Sequence, residues 1–117
     1  MQIPLQISFH GIEHSNALYD AIREKAQKLE RYYDRVLSCR VVLGLAARHK
    51  RQGRHFSVRV DLKVPGDELA VTREHDEDIQ VALREAFDAA RRQLEDYARV
   101  QRGDVKRHAP GRTGRAR

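Results

Sequence analysis

Residues 76–102 read DEDIQVALREAFDAARRQLEDYARVQR, and this run limits the fold more than any other stretch. Ile79, Leu83, Ala86, Phe87, Ala90, Leu94 and Tyr97 recur at steps of three and four, the period of one helix face, with no Gly or Pro between them. Asp76, Glu77 and Asp78 crowd the start, where carboxylates accept free backbone N–H groups and suit the positive end of a helix. Gly103 follows the last turn, a natural C-terminal stop. About 25 helical residues span roughly 37 Å at 1.5 Å per residue. So long an apolar stripe has to lie on something, and the upstream segments must provide it.

Those segments read as strands with one apolar face and a second helix. Leu5, Ile7 and Phe9 alternate with Gln6 and Ser8, the period-two pattern of a half-buried strand. Ser15 is a natural N-cap for a helix over residues 16–34, with Leu18, Ile22, Ala26, Leu29 and Tyr33 on its inner face. On the wheel of that helix Lys28, Arg31 and Arg35 share the outer side, with Lys25 and Tyr32 at its margin. Residues 36–45 form a second strand, with Cys39, Val41, Leu43 and Leu45 pointing one way. Residues 46–53 are a loop. Residues 55–64 alternate most clearly: Phe56, Val58, Val60, Leu62 and Val64 against His55, Ser57, Arg59, Asp61 and Lys63. The Pro65–Gly66–Asp67 turn signal and a strand over 68–73, with Leu69 and Val71 inward, complete a hairpin.

The order is therefore β-α-β-β-β-α, an α+β fold. The expected packing is a four-stranded mixed sheet with both helices on one face and the other face open to water. The first strand–helix–strand unit suits a right-handed crossover between parallel strands. The expected domain is residues 1–102. Residues 103–117 are polar and basic, carry Pro110, Gly111 and Gly114, and lack periodicity, so they are expected to be a disordered tail.

Charge enters through its distribution. Of the 23 basic and 17 acidic residues, the segment 102–117 holds six basic and one acidic, so residues 1–101 carry a net charge of only +1. Polyanion binding by the folded part must come from a local patch, since its bulk field is weak. Three basic sets qualify: Lys25, Lys28, Arg31 and Arg35 on the first helix; Arg48, Lys50, Arg51 and Arg54 in or beside the loop; Arg84, Arg91, Arg92 and Arg99 on the second helix. Side-by-side helices would merge their outer faces into one surface that grips phosphates without reading bases. The competing reading is a solvated exterior laced with i,i+4 pairs: Arg84–Asp88, Asp88–Arg92, Arg91–Glu95, Arg92–Asp96 and Glu95–Arg99.

Other chemistry finds little support. Six histidines share no metal-binding spacing, so no metal or cofactor is expected. A single cysteine excludes an intramolecular disulfide, and Cys39 alternates inward as a small core residue. Neither a nucleophile motif nor a phosphate-cradling glycine loop is present, and no enzyme activity is expected. The N-terminal MQIPLQISFHG lacks a basic n-region and an apolar run, and no stretch approaches about 20 apolar residues, so a cytoplasmic protein is expected.

Residues 22–45 (IREKAQKLERYYDRVLSCRVVLGL) and 74–94 (EHDEDIQVALREAFDAARRQL) resemble the ribosome hibernation promoting factor family, which includes the ribosome-associated inhibitor also called protein Y. The marks are KLE at 28–30 followed by aromatics, HDED before a helix, and RQL at 92–94, in the same element order over residues 1 to about 100. The β-α-β-β-β-α order also resembles double-stranded-RNA-binding folds. The family resemblance implies a translation inhibitor that sits in the messenger and transfer RNA channel of the small ribosomal subunit during stasis, against 16S-type ribosomal RNA. By position, the family's basic groups fall at Lys25, Lys28 and Arg31, and at Arg92 on the second helix. Two further basic positions of the family meet Ala89 and the pair Glu95 and Asp96, and Arg84 and Arg91 are the candidates to compensate. The resemblance is to a short form. Two other readings stand: a general structured-RNA-binding module, and a protein-interaction module modulating a sigma factor through the open sheet face of Gln6, Ser8, Arg40, Arg59, Asp61 and Lys63.

Overall fold

The computed structural model describes residues 3–45, 55–75 and 78–103. The basic loop set Arg48, Lys50, Arg51 and Arg54, the acidic pair Asp76 and Glu77, and the tail beyond Gly103 lie outside the described residues. The elements are β1 (Leu5–His10), α1 (Asn16–Lys28), a single 3₁₀ turn (Leu29–Arg31), β2 (Ser38–Leu45), β3 (Phe56–Val64), β4 (Asp67–His75) and α2 (Ile79–Arg102). They build the expected α+β fold, one sheet in the order β1-β2-β3-β4. The β1–β2 pair is parallel, with Leu5 opposite Cys39 and Phe9 opposite Leu43. The other pairs are antiparallel, with Val41 opposite Val60 and Val60 opposite Val71. Pro65 and Gly66 make the hairpin turn between β3 and β4, and Gly66 takes φ 79°, a conformation that side-chain-bearing residues avoid.

The alternating residues of the central strands account for the core. Val58, Val60, Leu62 and Val64 of β3 and Cys39, Val41 and Leu43 of β2 are at most 1% exposed. They form one cluster with Leu18, Ile22 and Ala26 of α1, Leu29, and the α2 residues Leu83, Ala86, Phe87, Ala90 and Leu94. Phe56 is buried at the start of β3 but stands outside that cluster. α2 lies over β3 and β4, and α1 touches β1. Leu5, Ile7 and Phe9 of the edge strand β1 are half-buried against the core. Leu45, expected to point inward, is 46% exposed at the open end of β2.

Both helices start with a side-chain cap. The Leu18 N–H donates to Ser15 Oγ at 3.2 Å, and the Gln80 N–H donates to Asp78 Oδ1 at 2.8 Å. α2 therefore begins after Asp78, and Gly103 closes it in the left-handed region at φ 80°. The first helix ends six residues before the expected boundary. At Leu29 the chain tightens into the 3₁₀ turn, whose backbone closes from the Tyr32 N–H to the Leu29 carbonyl at 3.0 Å. That turn carries Tyr32 and Tyr33 toward α2.

One feature of the N-terminal segment has no signature in the sequence. The Ile3 N–H donates to Gln27 Oε1 at 2.9 Å, and Gln27 Nε2 donates to the Ile3 carbonyl at 3.1 Å. A single carboxamide thus satisfies both backbone groups of Ile3 and ties the segment before β1 to α1.

Cys39 is a buried free thiol on β2. Burial first, and the charge of Asp61 second, push it from 9.0 up to about 12. Three pKa units remove about a thousandfold of the reactive thiolate. Folded protein at pH 8 should therefore react with a thiol-specific disulfide reagent far more slowly than chain unfolded in urea, through both the raised pKa and the burial of the sulfur. Equal rates in the two states would mean that Cys39 lies on the solvent face of β2.

Candidate nucleic-acid interface

The strand directions fix how the helices lie. β1, β2 and β4 run the same way, so α1 after β1 and α2 after β4 leave the sheet from the same end. They cross back over the same face with their N-termini together. Tyrosines just after the 3₁₀ turn that follows α1 connect them. Tyr33 meets Tyr97 of α2 edge to face, with ring centroids 5.2 Å apart and planes at 87°. The Tyr97 hydroxyl donates to the Pro65 carbonyl in the β3–β4 turn. Desolvation first, then hydrogen bonding with Tyr33, push the Tyr97 phenol up to about 12.

Outward from this seam lie the basic residues. Lys28, Arg31, Arg84 and Arg92 are exposed, and Lys25 is half-buried. Because α1 stops at Lys28, Arg35 is not on a helix. It lies beyond the 3₁₀ turn, where its charge opposes the rise in the Tyr97 pKa. The predicted outer row of Lys28, Arg31 and Arg35 therefore keeps its first two members near the end of α1 and sends the third toward the tyrosine seam.

The expected lacing of α2 is mostly unmade. Of the five i,i+4 pairs, Arg91–Glu95 forms, at 3.1 Å, while Asp96 pairs with Arg99 across three residues. Among the described residues Lys25, Lys28, Arg31, Arg35, Arg84 and Arg92 make no ion pair. Exposed pairs of this kind contribute about 0–1 kcal/mol, which leaves such arginines free to turn to a stronger acceptor. Arg91 differs: its guanidinium carbon lies 5.6 Å from the centroid of the Tyr32 ring, and its side chain is 33% exposed. The sequence placed Arg91 on the outer face and missed its contact with Tyr32 after the 3₁₀ turn, and the adjacent tyrosines after KLE were the available signal.

The open sheet face is differently composed. Arg59 pairs with Asp61 at 2.9 Å on β3, and Arg40 lies opposite Asp61 on β2. Lys63 stands opposite Glu68 of β4. Each cation on this face thus has an acid beside it or across the sheet. Among the described residues no group of three or more His, Cys, Asp or Glu is arranged to hold a metal ion. No helix among them is long and apolar enough to cross a membrane.

Fold and face together define an α+β domain that presents unpaired cations on its helical side. Residues 5–102 match the family described as Sigma 54 modulation protein / S30EA ribosomal protein, and the chain belongs to that family. It is similar to a ribosome hibernation promotion factor of Deinococcus radiodurans, with 32% identity over 97 residues, 83% of this chain and 49% of that protein. It is also similar to a ribosome hibernation promoting factor of Azotobacter vinelandii, with 31% identity over 90 residues, 77% of this chain and 78% of that protein. The chain thus spans about half the length of the first relative and over three quarters of the second. Among solved structures, the Thermus thermophilus Protein Y N-terminal domain superposes with a TM-score of 0.69 at 27% identity, covering 83% of this chain and 99% of that one. A ribosomal subunit interface protein of Coxiella burnetii shares the fold, with a TM-score of 0.67 at 20% identity, over 82% of this chain and 98% of that one.

Proposed function

We propose that this chain is a ribosome-associated hibernation factor that occupies the messenger and transfer RNA channel of the small subunit and blocks translation by occlusion. The observation that carries this reading is the set of unpaired, exposed cations Lys28, Arg31, Arg84 and Arg92 on the helical side of a family member. Lys25, Arg35 and Arg91 border them, and Arg48, Lys50, Arg51 and Arg54, outside the described residues, are candidates for further contacts. The unpaired cations among them take ribosomal RNA phosphates, and no catalytic step is involved. The basic tail after Gly103 adds non-specific affinity.

Phosphate contacts release counterions, so log affinity should fall linearly with log salt concentration. The test is co-sedimentation of purified protein with ribosomal subunits across a salt series. Binding to the small subunit with a linear negative slope is the expected result. A flat salt response would point to a protein contact on the ribosome, and protein left at the top of the gradient at every salt would remove the ribosomal reading. The mixed charge of the open sheet face favours one second reading, a protein-binding surface, which predicts that second outcome.

A further inference from the structure

We infer that Tyr32 and Arg91, clamped by Glu95, form a stacking platform for an unpaired RNA base. This deepens the reading above and rests on its assumption that the helical side meets RNA. Exposed lysines and arginines that grip phosphates act through charge, and their side chains gain from staying mobile. Arg91 is built otherwise. Its Nη1 donates to Glu95 Oε1 at 3.1 Å from one side, and its guanidinium lies over the Tyr32 ring from another. Two contacts hold a flat cation in one orientation, which an ion pair on an open helix surface does not need. Glu95 also offsets its charge, so Arg91 contributes less to a long-range field than Arg92 beside it. The group has kept its planar face and surrendered part of its charge.

Its surroundings suit the same use. Tyr32 is half-buried, and the 3₁₀ turn that ends α1 sets its backbone. The next residue, Tyr33, meets Tyr97 and anchors the turn to α2. The platform is therefore partly ordered before RNA arrives, which lowers the cost of stacking a base on it. Arg31 precedes Tyr32 directly and is exposed and unpaired, a phosphate partner for the nucleotide whose base would stack. Unstacked bases settle on aromatic rings and on guanidinium planes, and such stacking is tolerant of base identity because every base has a π-face. The ligand is thus single-stranded RNA with an accessible base, distinct from the duplex backbone that the flanking cations hold.

The probe is a ten-nucleotide oligoadenylate, compared with an oligomer of equal length and charge in which the bases are replaced by abasic sites. Wild-type protein should bind the base-bearing oligomer about tenfold more tightly, in line with one stacked base. Arg91→Lys keeps the charge and loses the plane, and should abolish that preference. Tyr32→Leu should do the same; should it not fold, as judged by circular dichroism, Arg91→Lys on the surface still decides. In small-subunit binding, Arg91→Lys should lower affinity by one constant factor at every salt concentration, whereas losing a phosphate contact flattens the salt slope. Equal wild-type affinity for the two oligomers overturns the platform, as does Arg91→Lys retaining the preference. Both oligomer measurements omit the ribosome, so the platform and the ribosomal reading can fail separately. A purely structural Tyr32–Arg91 contact would show itself as a lowered melting temperature with no base preference in any variant, which also overturns the proposal.

Discussion

The double variant Lys28→Glu, Arg31→Glu should keep the fold and lose small-subunit binding by roughly 10²–10⁴-fold, with inhibition of cell-free translation falling in step. A hydrogen bond to a charged group is worth about 1.5–3 kcal/mol, and tenfold in affinity is about 1.4 kcal/mol, so two lost contacts account for that range before repulsion is added. The folded state should barely respond. Both side chains are exposed and make no ion pair among the described residues, and surface substitutions of this kind usually stay within about 0.5 kcal/mol. If the helical side were only a solvated exterior, the variant would bind and inhibit as the wild type does. The control is Arg40→Glu, Lys63→Glu on the open sheet face, which makes the same charge change on the opposite side; because it sets Glu opposite Asp61 and Glu68, it is compared at a temperature where circular dichroism shows it folded. Loss of activity in the sheet variant with retention in the helix variant would move the binding face to the sheet.

What the sequence disclosed follows the range of the forces involved. β3 was fully legible because its two faces meet opposite environments, and every second residue from Phe56 to Val64 is buried. The stripe on α2 was legible for the same reason, since solvation sorts a long helix without reference to its partners. The end of α1 was not. Its periodicity runs on to Tyr33, but Tyr33 is satisfied by Tyr97, 64 positions away in the chain, and the helix gives up its last turns to reach it. The candidate face shows the same division. Lys28 and Arg31 sit outside as the wheel predicts, whereas the wheel cannot tell which margin of α2 faces a neighbouring helix, so Arg91 was assigned to open solvent. Ion pairing was the least legible part. Each exposed pair is worth so little that an alternative at i,i+3, as in Arg99–Asp96, suffices to redirect it. Gln27 lay hidden because nothing local distinguishes a carboxamide that serves the backbone of Ile3 from one facing water.

Replacing Phe87 by Ala should cost roughly 3–5 kcal/mol, a large part of the 5–15 kcal/mol that holds a domain of this size together. Phe87 is 5% exposed and belongs to the cluster that joins α2 to the sheet. On its helix Ala82, Ala86, Ala89 and Ala90 are all buried. These small residues bring the α2 backbone close to the strands and leave the volume at this level to one large ring. The cluster on the sheet side includes Val58, Val60 and Val71, whose branched side chains have little rotamer freedom with which to fill a hole. A cavity left by Phe87→Ala therefore stays largely open, and the cost should fall toward the upper half of the range. Phe87→Leu, which fills most of the space, should cost less than half as much. Phe9→Ala on the edge strand should also cost less, because its ring is only partly buried. At about 4–8 °C per kcal/mol for a domain of roughly this length, Phe87→Ala should lower the melting temperature by at least about 12 °C. Urea unfolding followed by circular dichroism gives the free energies directly. If Phe87→Ala came within about 1 kcal/mol of wild type while Phe9→Ala exceeded it, α2 would not be the helix that seals the sheet, and the side-by-side arrangement that unites Lys28, Arg31, Arg84 and Arg92 in one face would fall with it.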